Sequence, residues 1–439
     1  MRIEIRAVGG YNEIGRNMTA VRVGDEVIIL DMGLHIENYI SLTEEEDIVN
    51  LSTSELIDAK AVPDISVIDD WKAKIKAIIP THAHLDHVGA IPYLAKKFKA
   101  PILCTPFTAE VIKAILKDEK IKMGNHIKPL NSNSVYHVSD NIKIEFINMT
   151  HSTPQTVMVA LHTKNGCLLY ANDFKFDNFP ILGKKPNFNK LRELSNSCQC
   201  LIVECLRAKE AIKTPSESVA KAMLKDVLLG TESNGKAIIA TTFSSHLERL
   251  KSIIEFGKQM NRKVVFLGRS LSKYVVAGER AGIVNFTKDV ELAKRGRHIK
   301  RILKDVEVNR KKYLVVVTGH QGEQKAVLSR MATGELPFRF KEEDHMIFAS
   351  SVIPNPSNIS DRKRLEENFR GKNLRIFKDI HVSGHAARED LRDLINIVNP
   401  KNIIPAHGDT SMNNALKALA LEIGGSNILL IKESDNIAL

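Results

Sequence analysis

The chain has 439 residues, 43% of them hydrophobic and 26% charged, ordinary values for a globular protein of a length at which two domains are expected. No apolar run approaches the roughly 20 residues that cross a bilayer, and the opening MRIEIRAVGG lacks the apolar core of a secretory leader, so a cytoplasmic protein without a membrane partner is expected. The net charge of +11 hides an asymmetry: residues 36–70 hold ten acids and one base, Lys60, so the remainder carries +20, an excess suited to a polyanionic partner.

Residues 1–30 read as three strands, IEIRAV, MTAVRV and EVIIL, with the glycine-rich loop GGYNEIGRN after the first and a hairpin through Gly24 and Asp25 joining the others. Asp31 closes the third. The acidic stretch 36–70 interrupts this pattern, and its polarity predicts an exposed insertion. The isoleucine-rich run 75–79, ended by Pro80, predicts a buried strand delivering the loop THAHLDHVG, with a helix over residues 88–98. There follow PILC, a helix over residues 106–118, and the strands SVYHV and IKIEFIN, the second of which delivers His151. The runs 167–170, 200–203 and IIPA end in Asp173, Glu204 and His407. Potential ligands thus recur at strand ends, where loops converge over a sheet edge. Five cysteines without CxxC spacing predict neither a disulfide framework nor a cysteine–zinc site, and Cys198 and Cys200 are expected on one side of a strand.

From about 208 to 370 the strands AIIATTF, KVVFLG, YLVVVTGH and HMIFASSVI alternate with helices such as HLERLKSIIEFGKQM and QKAVLSRMA, the pattern of a parallel sheet with crossovers. Two turns, TFSSH (242–246) and TGHQGE (318–323), place hydroxyls or small residues at a helix start. Free amides there suit phosphate, while serine or threonine is also the ordinary helix cap; both readings stand. With no low-complexity linker, the expectation is a domain of residues 208–370 inserted between 1–207 and 371–439.

Three imidazoles and a carboxylate within residues 82–87 are borderline donors suited to zinc or manganese. His82 and His84 can converge on one ion while Asp86 and His87 turn toward a second. The ordered set His82, His84, Asp86, His87, His151, Asp173, His407 resembles the two-metal site of the metallo-β-lactamase superfamily. That resemblance implies an αββα sandwich with two divalent ions, zinc expected and manganese the alternative. One ion falls to His82, His84 and His151, the other to Asp86, His87 and His407, with Asp173 between them and Asp86 and Asp173 serving catalysis. Asp31 matches the superfamily's first motif and is expected to orient the histidine loop rather than touch metal.

An insertion after Asp173, the acid Glu204 at a strand end and the phrase HVSGHA (381–386) resemble the β-CASP group, whose members are nucleases. In that group the histidine matching His385 contacts the scissile phosphate, and Glu204 is expected to partner the loop histidines. GGYNEIGRNM, THAHLDHVGA, TGHQGEQKAVLSRMATGE, HVSGHA and PAHGD are together similar to the ribonuclease J family, in an archaeal-type form without the bacterial C-terminal domain and with an added loop at 36–70. The resemblance implies hydrolysis of single-stranded RNA from a 5′-monophosphorylated end by a homodimer. Its phosphate contacts would be Ser244, Ser245, His246, Arg269, Ser270, Gly319, Gln321, Ser383, Gly384 and His385. Endonucleolytic cutting by the same site and hydrolysis of a small ester are the alternatives.

Overall fold

The structure is a computed structural model that describes residues 2–45 and 51–439, with the side chains of 44 and 45 left aside. Its first unit comprises Met1–Asn178, Lys184–Thr214 and Ser383–Leu439, and its second Phe179–Gly183 and Pro215–Val382.

Two seven-stranded sheets build the first unit. From edge to edge, one runs Asn436–Ala438, Ile3–Gly9, Met18–Val23, Glu26–Leu30, Ile75–Ile79, Ile102–Cys104 and Ile127–Pro129. The other runs Asn427–Ile428, Asn402–Ala406, Cys198–Glu204, Gly166–Ala171, Val157–Thr163, Lys143–Asn148 and Val135–His137. Alternate residues of each strand turn inward. Ile5, Val21, Ile28 and Ala77 of one sheet therefore meet Phe146, Val159, Leu168, Ile202 and Ile404 of the other in a single buried layer. The second sheet's other face buries Leu169, Leu201 and Ile403 under Leu391 and Leu394 of helix Arg388–Val398 and Leu416 and Leu419 of helix Thr410–Ile423. Each such side chain contributes roughly 1.5–3 kcal/mol.

The second unit is a parallel six-stranded sheet in the order Val290–Ala293, Lys263–Leu267, Tyr313–Val317, Ile238–Thr241, His345–Phe348, Arg375–Phe377. Its central strands are buried on both faces, as crossover helices demand, which is why they read as unbroken apolar runs. The two edge strands, only three and four residues long, escaped the sequence reading. Because Arg375–Phe377 pairs with His345–Phe348, residues 371–382 go with the inserted unit.

Three local expectations are corrected. Residues 88–98 form not one helix but short turns, Leu85–Val88, Ile91–Leu94 and Ala95–Lys97. Pro92 lacks the amide a continuous helix needs, and a Cβ on Gly89 would lie 2.6 Å from Leu34, so the chain is pinned there. Cys198 and Cys200 lie on opposite faces, because a register shift between Cys167 and Leu168 against this strand offsets the alternation. The acidic segment, apart from 46–50, which fall outside the described residues, is not simply an exposed insertion. It contains helices Ile36–Glu45 and Thr53–Asp58 and a 3-10 turn, Ile65–Lys74, and is anchored by buried Leu56, Ile68 and Trp71. Arg6 lies 3.9 Å above the Trp71 ring while bonding Asp70. Among the described residues no helix is long and apolar enough to cross a membrane.

Candidate metal centre

All candidate ligands lie in the first unit, at the ends of strands that point the same way within each sheet. Glu26–Leu30 and Ile75–Ile79 are parallel neighbours and deliver Asp31 and the histidine loop. In the other sheet Gly166–Ala171, Cys198–Glu204 and Asn402–Ala406 are parallel and deliver Asp173, Glu204 and His407. Lys143–Asn148, two antiparallel steps away, ends at the same edge and delivers His151. Asp31, Asp173 and His407 adopt left-handed backbone (φ 57°, 57° and 51°), a strain of about 1–2 kcal/mol each that the surrounding fold must hold.

Among the described residues the donor atoms form two groups of four sharing Asp173, His82, His84, His151 and Asp173, and Asp86, His87, His407 and Asp173, and a third of Asp173, Glu204 and His385, each within 4.8 Å. In the first, Nε2 of His82 and Nε2 of His151 each lie 3.1 Å from Nδ1 of His84. His151 donates its Nδ1 proton to the Gly384 carbonyl at 2.6 Å, so its Nε2 carries a bare lone pair aimed at the other rings. In the second, His87 Nδ1 donates to Asp31 at 2.8 Å, leaving its Nε2 facing Asp173 at 3.3 Å and Asp86 at 3.6 Å. Nε2 of His407 stands 3.5 Å from both Asp86 and Asp173. Asp173 Oδ1 is buried with no hydrogen-bond partner among the described residues. Lone pairs crowded together with an unsatisfied carboxylate repel unless cations lie between them, so the donor set fits two divalent ions.

The surroundings orient each ring. Asp31 accepts from Thr81 N at 2.7 Å and Thr81 Oγ1 at 3.0 Å, and so fixes the start of the histidine loop as well as His87. Gly33 is required by close approach: a Cβ there would lie 1.6 Å from the Asp86 carbonyl oxygen. Asn17, in the glycine-rich loop, carries no local signal of its role. Its amide nitrogen reaches the Asp86 carbonyl at 3.1 Å, His87 Nε2 at 3.2 Å and His407 Nδ1 at 3.0 Å, and Gly15 N–H donates to that same Nδ1 at 3.1 Å. With these donors on Nδ1 the neutral ring carries its proton on Nε2, and ligation through Nε2 requires the tautomer with the proton on Nδ1. Asn17→Ala is expected to weaken the second ion's affinity by about 10- to 100-fold with the first retained, measured as metal content after chelator competition. Two ions held with unchanged affinity would contradict it.

Burial holds His84 and His151 well below the ordinary imidazole pKa, and the neighbouring imidazoles reinforce it. Burial also disfavours a charged His87, but Asp173, Asp31 and Asp86 outweigh it and lift that ring well above the ordinary value. Asp173 ionises despite burial because His87, His407 and His385 face it, which puts its pKa well below the usual carboxylate range. His385 stands beside the cluster with Nδ1 2.8 Å from Glu204 and 3.9 Å from Asp173. Against the effect of burial, Glu204 and Asp173 raise its pKa to about 9. Glu204 also accepts from Phe174 N at 2.8 Å, so its partners are His385 and the Asp173 turn, not the loop histidines.

The phosphate candidates are less uniform. Ser383 Oγ accepts from His385 N at 3.1 Å, and Gly384 serves His151 through its carbonyl. The helix that follows is no anion site: the Ala387 amide is taken by Thr214 Oγ1 and Asp390, and those of Arg388 and Glu389 by the Glu210 and Ile212 carbonyls. Within the second unit, Ser244 and Ser270 meet, Oγ to Oγ, at 2.9 Å, beside exposed Arg269. Ser245 is buried. His246, also buried, has Nε2 3.3 Å from Glu217, so that nitrogen faces a carboxylate. Gln321 braces the chain, donating to Ser351 O at 3.1 Å and accepting from Ile353 N at 3.0 Å. The helix beyond Gly319 starts only at Val327 and has six residues.

Sandwich, inserted parallel sheet and double donor group together define a β-CASP protein of the metallo-β-lactamase superfamily. Residues 12–202 match the family model described as "Metallo-beta-lactamase superfamily", residues 235–362 "Ribonuclease J, beta-CASP domain" and residues 372–430 "Zn-dependent metallo-hydrolase RNA specificity domain". The chain is 42% identical over 438 residues to Ribonuclease J of Methanocaldococcus jannaschii, covering 98% of each, and 41% identical to Ribonuclease J of Pyrococcus abyssi, covering 96% of this chain and 93% of that one. It belongs to the ribonuclease J family. Ribonuclease J2 of Bacillus subtilis is 27% identical over 99% of this chain and 74% of its own. A crystal structure of a protein of unknown function from Enterococcus faecalis shares the fold, with a TM-score of 0.70 at 18% identity and full coverage of both chains.

Proposed function

We propose that this chain is a two-metal ribonuclease that removes nucleotides from a 5′-monophosphorylated RNA end, with zinc as the resident ion and manganese as the alternative. The observation that carries the reading is the double donor group sharing Asp173, in a chain 42% identical to a protein named Ribonuclease J. When bound, two such ions supply Lewis acidity that activates a water and neutralises charge on the attacking and leaving oxygens. His82, His84 and His151 would hold one such ion and Asp86, His87 and His407 the other, with Asp173 common to both donor groups. Asp31 and Asn17 keep the rings in register. His385, its Nδ1 committed to Glu204, offers Nε2 to the scissile phosphate, and the pair keeps it protonated at neutral pH, so it binds anionic oxygen and can donate a proton to the leaving group.

The end preference is supported by the family resemblance and by Ser244, Ser270 and Arg269, a set of hydroxyl and guanidinium donors suited to a terminal phosphate. RNAs labelled at the 5′ end and bearing a mono- or triphosphate are expected to release labelled mononucleotide, about tenfold faster from the monophosphate. A circular RNA of the same sequence should resist. Ladders shortening only from the 3′ end would overturn the direction, and efficient cutting of the circle would replace the exonuclease reading with the endonuclease one.

A further inference from the structure

In the second unit, helix Gly296–Val308 and its lead-in carry an uncommon concentration of positive charge. Ile299, Ile302, Leu303 and Val306 bury one side of the helix against the sheet. Arg297, Lys300, Arg301 and Lys304 occupy the opposite side at i, i+3, i+4 and i+7, all exposed, with exposed Lys294 and Arg295 just ahead. The nearby acids are engaged elsewhere. Glu291 pairs with Lys263 at 2.6 Å and His298 at 2.9 Å, and lies 3.5 Å from Arg301. Asp305 accepts from Asn309 at 2.7 Å and from Tyr313, and Glu307 pairs with Arg310 at 2.7 Å. Among the described residues Lys294, Arg295, Arg297, Lys300 and Lys304 have no ion-pair partner.

Topology connects this ridge to the serine pair. Strands Lys263–Leu267 and Val290–Ala293 are parallel neighbours, so the turns after them lie side by side, and Gly268 N donates to Ala293 O at 2.9 Å. One turn leads to Arg269 and Ser270, with Ser270 touching Ser244; the other leads to Lys294 and Arg295. The ridge therefore starts at the sheet edge that holds those hydroxyls. From Arg297 to Lys304 it runs about 10 Å along the helix, a length over which an extended strand offers successive phosphates.

Building on the ribonuclease reading, we infer that this ridge, in the unit that does not carry the metal centre, is a docking surface for the sugar-phosphate backbone of single-stranded RNA that holds the body of a long substrate. A membrane surface is disfavoured: an interfacial helix needs an apolar face to insert, and here that face is buried against the sheet.

The test uses the full chain and its Arg297→Gln, Lys300→Gln, Arg301→Gln, Lys304→Gln quadruple variant, with 5′-monophosphorylated oligouridylates of about 6 and about 40 nucleotides, lengths chosen below and above a typical single-strand binding site. All four side chains are exposed, so thermal unfolding should be unchanged. For the long RNA, affinity by fluorescence anisotropy should fall tenfold or more, and the slope of log affinity against log salt should shrink by about 2–3, near 0.7 per lost phosphate contact. Cleavage of the short RNA should be unchanged. Unaltered long-RNA affinity, or equal loss with both lengths, would overturn the docking role. If the parent chain cleaves neither RNA the ribonuclease reading fails instead, and anisotropy with the long RNA still judges the ridge.

Discussion

Exchanging Asp173 for asparagine is expected to leave a folded chain that retains at most one divalent ion and cleaves RNA about a thousandfold more slowly. Asp173 is common to every donor group among the described residues, and its oxygens lie within 3.5 Å of Nε2 of His82, His87, His151 and His407. Asparagine keeps the shape, tolerates the left-handed backbone at φ 57°, and removes the charge that faces four imidazoles. A loss of about 4 kcal/mol of electrostatic stabilisation corresponds to three powers of ten in rate. Metal content and cleavage measured on one preparation, with thermal unfolding as the control, decide it. A variant that keeps two ions, or that loses less than about tenfold in rate, would remove Asp173 from the role between them.

The second large effect concerns stability. In the second unit Glu217 is buried against Arg249, bonding its Nε at 2.5 Å and Nη2 at 2.8 Å, while Arg249 Nη1 ties the Ala349 and Ile380 carbonyls at 2.7 and 3.0 Å. Removing one partner leaves the other charge buried alone, so Glu217→Gln is expected to cost about 3–5 kcal/mol at pH 7. Burial opposes ionisation of Glu217, but His246 and Arg249 outweigh it and hold the carboxyl below its ordinary value of 4.5. The unfolded chain thus takes up the proton first. The contribution is complete above about pH 4.5 and is lost as pH falls toward the lower folded value. Denaturant unfolding of both proteins should show a gap that narrows below that pH; a gap under about 1 kcal/mol at pH 7 would show that the pair is dispensable.

How far residues disclosed their roles depended on what surrounds them. The ligand candidates were legible because each follows a short apolar strand, and strand ends of one direction share an edge. Asp31 was legible for the same reason. Asn17 was not: an asparagine in a glycine-rich loop has the composition of a turn, and only the fold brings residues 86, 87 and 407 to its amide. His246 and Gln321 looked like phosphate contacts because their turns begin helices, whereas Glu217 and the 351–353 backbone, remote in sequence, take up Nε2 of the one and the amide of the other. Likewise the amides opening helix Arg388–Val398 are occupied by carbonyls from 210 and 212, which no local pattern announces. Amphipathic periodicity marked the sheet core well and missed the edges, where three or four residues carry too few alternations to count.

The order of strands in the second sheet also ties the centre to both sides of the insertion. His82, His84, His151 and Asp173 all precede the inserted unit in the chain, whereas His385 and His407 follow it, the latter on a strand that lies beside Cys198–Glu204. Even the first donor group draws on the later segment, because the Gly384 carbonyl orients His151. The second donor group is therefore complete only when chain from both sides of the inserted unit has come together, Asp86 and His87 meeting a histidine more than 300 residues further along.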